Sequence, residues 1–317
     1  MDKRTAHTLR QLNNRFYDTV AASFSDTRQA AWPGWRRLVE ELRVHGCLWA
    51  DDAVLGMCAS SRLPQRVDIA DAACGNLRFE RFLEQALPDA PFSFTAVDDC
   101  DSLVGRGVDA LTSPVSFVRE DLVSDAIDGR SLSFAERGAA LGEGAERMDA
   151  APNRGCVNSS EGAFDLVVCF GFFHHIPGED ARAFLLDQLI RAAKPGAFVA
   201  VSLWRFMDDE RLAAKARAAT RQAFEGSTDE SSAFITSENA PSLSESDLDD
   251  GDYLLGWQDV SGVYRYCNSF TDGEIDGLIR SVSDETTCIS RYRADGKAGN
   301  LNEYLLFRVD GEGRGRG

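Results

Sequence analysis

Short apolar runs alternating with amphipathic stretches, from Arg66 onward, constrain this chain more than any other feature. RVDIADA (66–72), FSFTAVD (92–98), VSFVRED (115–121), FDLVVCFGFF (164–173) and AFVAVSLW (197–204) read as strands. Helical periodicity falls between them, at LRFERFLEQAL (77–87) and ARAFLLDQLIRAA (181–193). Parallel neighbours need a crossover, and a helix supplies it, so this alternation specifies an α/β chain with helices on both faces of the sheet. A helix at GEIDGLIRSV (273–282) and a strand at NEYLLFRV (302–309) follow, and a strand pair around that helix would complete seven strands. The expected fold is therefore a Rossmann-like, seven-stranded, mostly parallel sheet with an N-terminal helical segment.

That segment, residues 8–43, carries aromatic anchors at Phe16, Tyr17, Phe24, Trp32 and Trp35, and Pro33 divides it. One domain is expected over 1–317, with a helical cap over 1–65, the core over 66–309 and a tail over 310–317. Residues 128–163 and 225–252 read as insertions with too little apolar bulk to offset their ordering entropy, and both are expected to be mobile.

Charge narrows the partners. The net charge is −17, and ten acids with no Lys or Arg fall between Arg221 and Arg265. Such a surface works against a polyanionic partner, because phosphate neutralisation supplies most nucleic-acid affinity. No apolar run reaches the roughly 18–20 residues of a membrane span, and the N-terminus lacks an apolar signal core. The eight cysteines form no C-x-x-C pair, so a reducing, cytoplasmic setting without a metal is expected.

Chemistry concentrates at the carboxyl ends of the strands. DAACGNLRF (71–79) follows one strand and opens a helix, with Asp71, Ala73, Gly75 and Asn76 where a backbone must approach a ligand closely. Asp98 ends the next strand, 23 residues beyond Gly75, near the spacing of a carboxylate that holds a ribose diol; Asp99 stands equally close. Asp121 and Leu122 follow the third strand, where an acid can accept from an adenine amino group and an apolar side chain can flank the ring. CFGFFHHIP (169–177) places Phe170, Gly171, His174 and His175 after the central strand.

The succession DAACGN, FTAVDD, REDL, FDLVVCFGFFHHI and AKPGAFVAV resembles class I S-adenosylmethionine-dependent methyltransferases. More narrowly it is similar to the eukaryotic tRNA wobble-uridine carboxymethyl methyltransferases and their bacterial relatives. FYDTVAASFSDTRQAAWP (16–33), Trp204 and YRYCNSF (264–270) carry that narrower likeness. The chain departs from it at Ala73 and Leu77, which replace motif glycines, and at Asn268, which replaces a common His. The resemblance implies an enzyme that binds S-adenosylmethionine through Tyr17, Arg28, Asp71, Ala73, Gly75, Asn76, Asp98, Asp99, Asp121, Leu122, Phe170, Gly171 and His175. Arg28, His174 and Arg265 are the expected catalytic residues, the two arginines orienting an acidic acceptor. The acceptor is tRNA, with a helper protein to supply basic surface, or a small molecule methylated on oxygen or nitrogen. A non-catalytic donor-binding module is the third alternative.

Overall fold

The computed structural model describes residues 1–26, 30–45, 66–138, 162–225, 243–257 and 260–311. Two helices lead, α1 (Lys3–Asp26) and α2 (Pro33–Val44). Then come β1 (Val67–Ala72), α3 (Arg78–Ala86), β2 (Phe92–Asp98) and α4 (Asp101–Val108). β3 (Val115–Arg119), α5 (Leu122–Asp128), α6 (Ser133–Gly138) and β4 (Phe164–Cys169) follow. After α7 (Glu179–Ala192), β5 (Ala193–Trp204) and α8 (Glu210–Glu225) the chain ends in β6 (Asp252–Trp257), β7 (Val260–Asn268), α9 (Asp272–Ser281), β8 (Thr286–Ala294) and β9 (Asn302–Val309).

Seven strands hydrogen-bond in the order β3-β2-β1-β4-β5-β9-β8. β1 to β5 are parallel, and β9 alone runs against its neighbours β5 and β8. The order reverses between β1 and β4, which opens a crevice at their carboxyl ends. Alternation along the central strands fills both faces. In β4, Val167 and Cys169 meet the layer of α5, α6, α7 and α9, while Leu166 and Val168 meet α2 and α3. The expected sheet with helices on both faces is therefore present. Among the described residues no helix is long and apolar enough to cross a membrane.

Two expectations need correction. The last two strands of the sheet, β8 and β9, both follow α9 instead of flanking it. The strand before that helix, β7, pairs only with β6 in a separate hairpin. Secondly, residues 128–138 are not a loose insertion. Leu132 and Phe134 are fully buried in the main core, and Glu120 takes the backbone N–H groups of Ser133 and Phe134. Two anchors suffice where composition showed little apolar bulk. Residues 139–161 and 226–242 lie outside the described residues, while 243–252, also expected to be loose, hold a capped 3-10 turn at Glu245–Asp247 and the buried Asp252 that opens β6.

The hairpin gives α1 its seat. Leu9 and Leu12 pack on Leu254 and Tyr266, and Phe16 and Val20 pack on Val263. Asn13 Oδ1 accepts from the Tyr266 backbone N–H at 2.6 Å, fixing the helix along its length. On the opposite face, α2 is held through Gly34. Its N–H donates to Asp295 at 2.9 Å and its carbonyl accepts from Tyr292 at 2.8 Å. A Cβ on Gly34 would stand 2.3 Å from the Tyr304 ring. Gly34→Ala should therefore lower unfolding free energy by about 1–3 kcal/mol, the range for overpacking a filled core; urea denaturation of the two proteins measures it.

Candidate functional site

The corner between β1 and α3 is built from three left-handed residues, Ala73 (φ 64°), Gly75 (φ 55°) and Leu77 (φ 57°). Left-handed backbone costs alanine and leucine roughly 1–2 kcal/mol each, whereas glycine takes it freely. The corner holds because other contacts compensate. The N–H groups of Ala73 and Cys74 both donate to the Val97 carbonyl, at 2.8 and 3.1 Å. Leu77 is fully buried against Cys74, Ala96 and Val104. The two departures from motif glycines thus keep the glycine conformation.

Asp98 ties this corner to the next. One carboxyl oxygen accepts from the Gly75 N–H and the other from the Cys100 N–H, each at 2.9 Å. Burial raises the Asp98 carboxyl above its ordinary pKa, against the pull of those donors. Asp99 is half exposed and faces Arg119 at 3.5 Å. Of the two acids, Asp98 has the fixed orientation.

A cavity of about 690 Å³ opens over the carboxyl edge, within the usual size range for a small-molecule site. Tyr17, Ala73, Asp98, Asp99, Asp121, Leu122, Gly171 and His175 line it. A smaller compartment of about 130 Å³ adjoins it at Ala73, Leu103 and Gly171, and is walled by Trp32, Trp35, Phe79 and Phe170. Asp71, Gly75 and Asn76 line this second space. Of the residues expected to hold the donor, all but Arg28 border one compartment or the other; Arg28 lies outside the described residues. Gly171 is required where the two meet, since its φ is 66° and a Cβ would stand 2.7 Å from the Trp32 ring.

His174 and Arg265, expected to act on substrate, do not line the cavity. His174 is buried against His175 and Trp204, with ring centres 4.0 and 4.9 Å away. Arg265 is buried and donates to the Tyr17 hydroxyl at 2.9 Å. That hydroxyl also bonds His175 Nε2 at 2.8 Å. Arg265 therefore reaches the cavity through Tyr17. The fold also brings Cys267 Sγ to 3.9 Å from His175 Nδ1, so His174, His175 and Cys267 place three buried donor atoms within 4.8 Å. The sequence showed the two histidines but not this third group, which arrives from β7.

Asp121 is engaged on both oxygens. It caps α5 through the Ser124 N–H at 3.0 Å and pairs with Arg10. Arg10, Asn13, Asn14 and Asp18 line the cavity beside Tyr17, and sequence reading missed all four. Their spacing was the available signal: 10, 13, 14 and 18 fall on the helix face that carries Tyr17.

Two buried acids stand at the smaller compartment. Asp71 borders it, and Glu80, on the first turn of α3, is wholly buried behind. Burial pushes Asp71 well above the usual carboxylate range and Glu80 up to about 7.

The chain matches no family model and no curated protein. Among solved structures it is similar to an S-adenosylmethionine-dependent methyltransferase from Methanosarcina mazei, with a TM-score of 0.47 and 16% identity over 77% of this chain and 93% of that one. A second such enzyme, from Clostridium acetobutylicum, gives 0.46 and 10% over 94% and 98%. The N-methyltransferase NodS from Bradyrhizobium japonicum, bound to S-adenosyl-L-homocysteine, gives 0.40 and 11% over 77% and 78%. Likeness at this level assigns no activity to this chain.

The Glu80 environment has a consequence for stability. Burial pushes its carboxyl from about 4.5 up to about 7 in the folded protein. The folded state's preference for the protonated acid is intact below the lower value and is lost as pH rises through 7. Replacing Glu80 by Gln should therefore raise the thermal midpoint more at pH 8.5 than at pH 6. Scanning calorimetry at the two pH values measures the difference, and an equal effect would contradict it.

Proposed function

We propose that this chain transfers a methyl group from S-adenosylmethionine to oxygen or nitrogen of a small-molecule acceptor. The observation that carries the reading is the pair of adjoining compartments at the switch point of the sheet, with the oriented Asp98 carboxylate in the larger one. The residues fit such a donor in three respects. Asp98 presents a fixed acceptor for a ribose diol, and Leu122 offers an apolar flank for a base. The lining acids Asp18, Asp98, Asp99, Glu120 and Asp121 outnumber the cations Arg10 and Arg119, which favours a positively charged ligand. The open space of the larger cavity supports an active site over an occluded, non-catalytic one.

When bound, the donor supplies an electrophilic methyl group. The chain's own part is positioning and exclusion of water. Tyr17, Phe172 and His175 border the cavity, and the Arg265–Tyr17–His175 chain fixes the Tyr17 hydroxyl. An acceptor that must lose a proton can pass it to His175 by way of that hydroxyl. A carboxylate acceptor needs no base.

The two lining arginines bear on the acceptor class. Arg10 pairs with Asp121 and Arg119 with Asp99, so the cavity mouth presents no uncompensated basic stripe among its described residues. Transfer RNA, with a helper protein, is the second reading. It rests on the meeting of the two segments that carry that resemblance, joined where Arg265 donates to Tyr17.

The test is transfer of labelled methyl to tRNA and to small metabolites from cells lacking this gene. Label in the small-molecule fraction, lost with Asp98→Ala, is the expected result; label confined to tRNA would select the second reading. Asp98→Ala should weaken S-adenosylhomocysteine binding at least about tenfold, the loss expected from about 1.4 kcal/mol of charge-assisted hydrogen bonding. Tyr17→Phe should lower turnover by about 10²-fold, the lower bound for a proton-handling group, and leave that affinity within about threefold, as titration calorimetry and initial rates will report.

A further inference from the structure

The fold gathers three soft donor groups in the wall of the larger cavity. The 3-10 turn Phe173–His175, after β4, places consecutive imidazoles with ring centres 4.0 Å apart. β7 brings Cys267 Sγ to 3.9 Å from His175 Nδ1, across 92 positions of sequence. All three side chains are buried, and their donor atoms lie within 4.8 Å of one another. Two donors to one ion, at bond lengths of about 2.1 and 2.3 Å, stand no more than roughly 4.4 Å apart. The 3.9 Å pair already meets that limit, and a wider pair meets it after closing by a fraction of an ångström. The other neighbours of His175 Nδ1 are the Asn13 amide at 3.5 Å and the Tyr266 carbonyl at 3.4 Å, contacts weak enough for an ion to displace. His175 borders the cavity, which gives an ion its way in.

Charge selects among ions. Arg265 is buried two residues before Cys267 on β7, and so on the same face of that strand. Its guanidinium attracts the Cys267 thiolate and opposes any added positive charge. Among the described residues no carboxylate joins the three donors. Two neutral imidazoles and one thiolate therefore offer a single negative charge. A divalent ion such as zinc would leave net positive charge beside Arg265, away from water, and would call for a fourth ligand. Copper(I) is neutralised by the thiolate alone, accepts three ligands, and suits sulfur and imidazole.

We propose that His174, His175 and Cys267 form a copper(I) site in the cavity wall. On binding, the Cys267 S–H bond breaks, a copper–sulfur bond forms, and the proton leaves to solvent through the cavity. No electron is transferred. Because Nδ1 of His175 holds the ion, the ring proton of that imidazole sits on Nε2, the atom that bonds the Tyr17 hydroxyl at 2.8 Å. Nε2 then donates to Tyr17 and accepts nothing from it. Copper thus closes the route by which an acceptor passes its proton through Tyr17. That consequence rests on the methyl-transfer reading above; the site itself does not.

Anaerobic titration with copper(I), in competition with bathocuproine disulfonate, measures the affinity. The wild-type protein should take up a single ion per chain, and X-ray absorption should show it bound by one sulfur and two nitrogens. Cys267→Ser and His174→Ala should each weaken binding by more than about a hundredfold, the upper end of the loss when only a supporting group is removed. The wild-type spectrum decides even where a variant fails to fold. No uptake by the wild type, tighter binding of zinc than of copper(I), or coordination by sulfur alone at the chain's other cysteines would overturn the site. With copper bound, turnover of an acceptor that must lose a proton should fall by about 10²-fold, as for Tyr17→Phe, while S-adenosylhomocysteine binds as before. Unchanged turnover of the copper-loaded protein would overturn the link to Tyr17. Absence of turnover and of S-adenosylhomocysteine binding without copper would count against the methyl-transfer reading and leave a copper site of the expected coordination standing.

Discussion

The bonds from Asp98 to the backbone of two neighbouring corners are the constraint on which the rest of this site depends. With one oxygen on Gly75 and the other on Cys100, a single carboxylate sets the separation of the loops after β1 and β2. Those loops form one wall of both compartments. The strained residues Ala73 and Leu77 are tolerable because Asp98 and the Val97 carbonyl hold the turn from outside while Leu77 fills the core beneath it. Local strain, a half-buried carboxylate and a packed leucine are therefore parts of one arrangement. Loss of the carboxylate would release all three.

The opposite wall is made by α1, which packs between the β6–β7 hairpin and the α5 side of the sheet. It reaches the cavity because the β6–β7 hairpin carries it, through Asn13 and the Tyr266 backbone. This explains why a hairpin outside the main sheet matters to the site. Its residue Arg265 fixes Tyr17, and Tyr17 fixes His175 over the carboxyl end of β4. Across the larger cavity the acids exceed the bases, whereas the aromatic compartment is lined by one of each, Asp71 and Arg78.

Much of the sheet was legible because its signals are local. Strands β1, β4 and β5 carry apolar runs that serve both faces, as the alternation of Leu166 and Val168 with Val167 and Cys169 shows. β8 was not legible. TTCISRYRA mixes polar and apolar residues because an edge strand buries little of either face. At the site, Gly75 and Asp98 were found because each lies at the end of its own strand. Arg10, Asn13 and Cys267 were missed because their place is set by the docking of α1 and β7, far apart in the chain. Glu80 was hidden for a related reason. An acid in the first turn of a helix normally faces water, and only the packing of α3 under β1 buries this one.

The measurement that tests the account most directly is a crystal structure of the protein with S-adenosylhomocysteine. For the proposed donor site, the ribose diol is expected on Asp98 and the base beside Leu122. A ligand bound in the reverse sense, or one that leaves the Asp98 carboxylate without a contact, would contradict it.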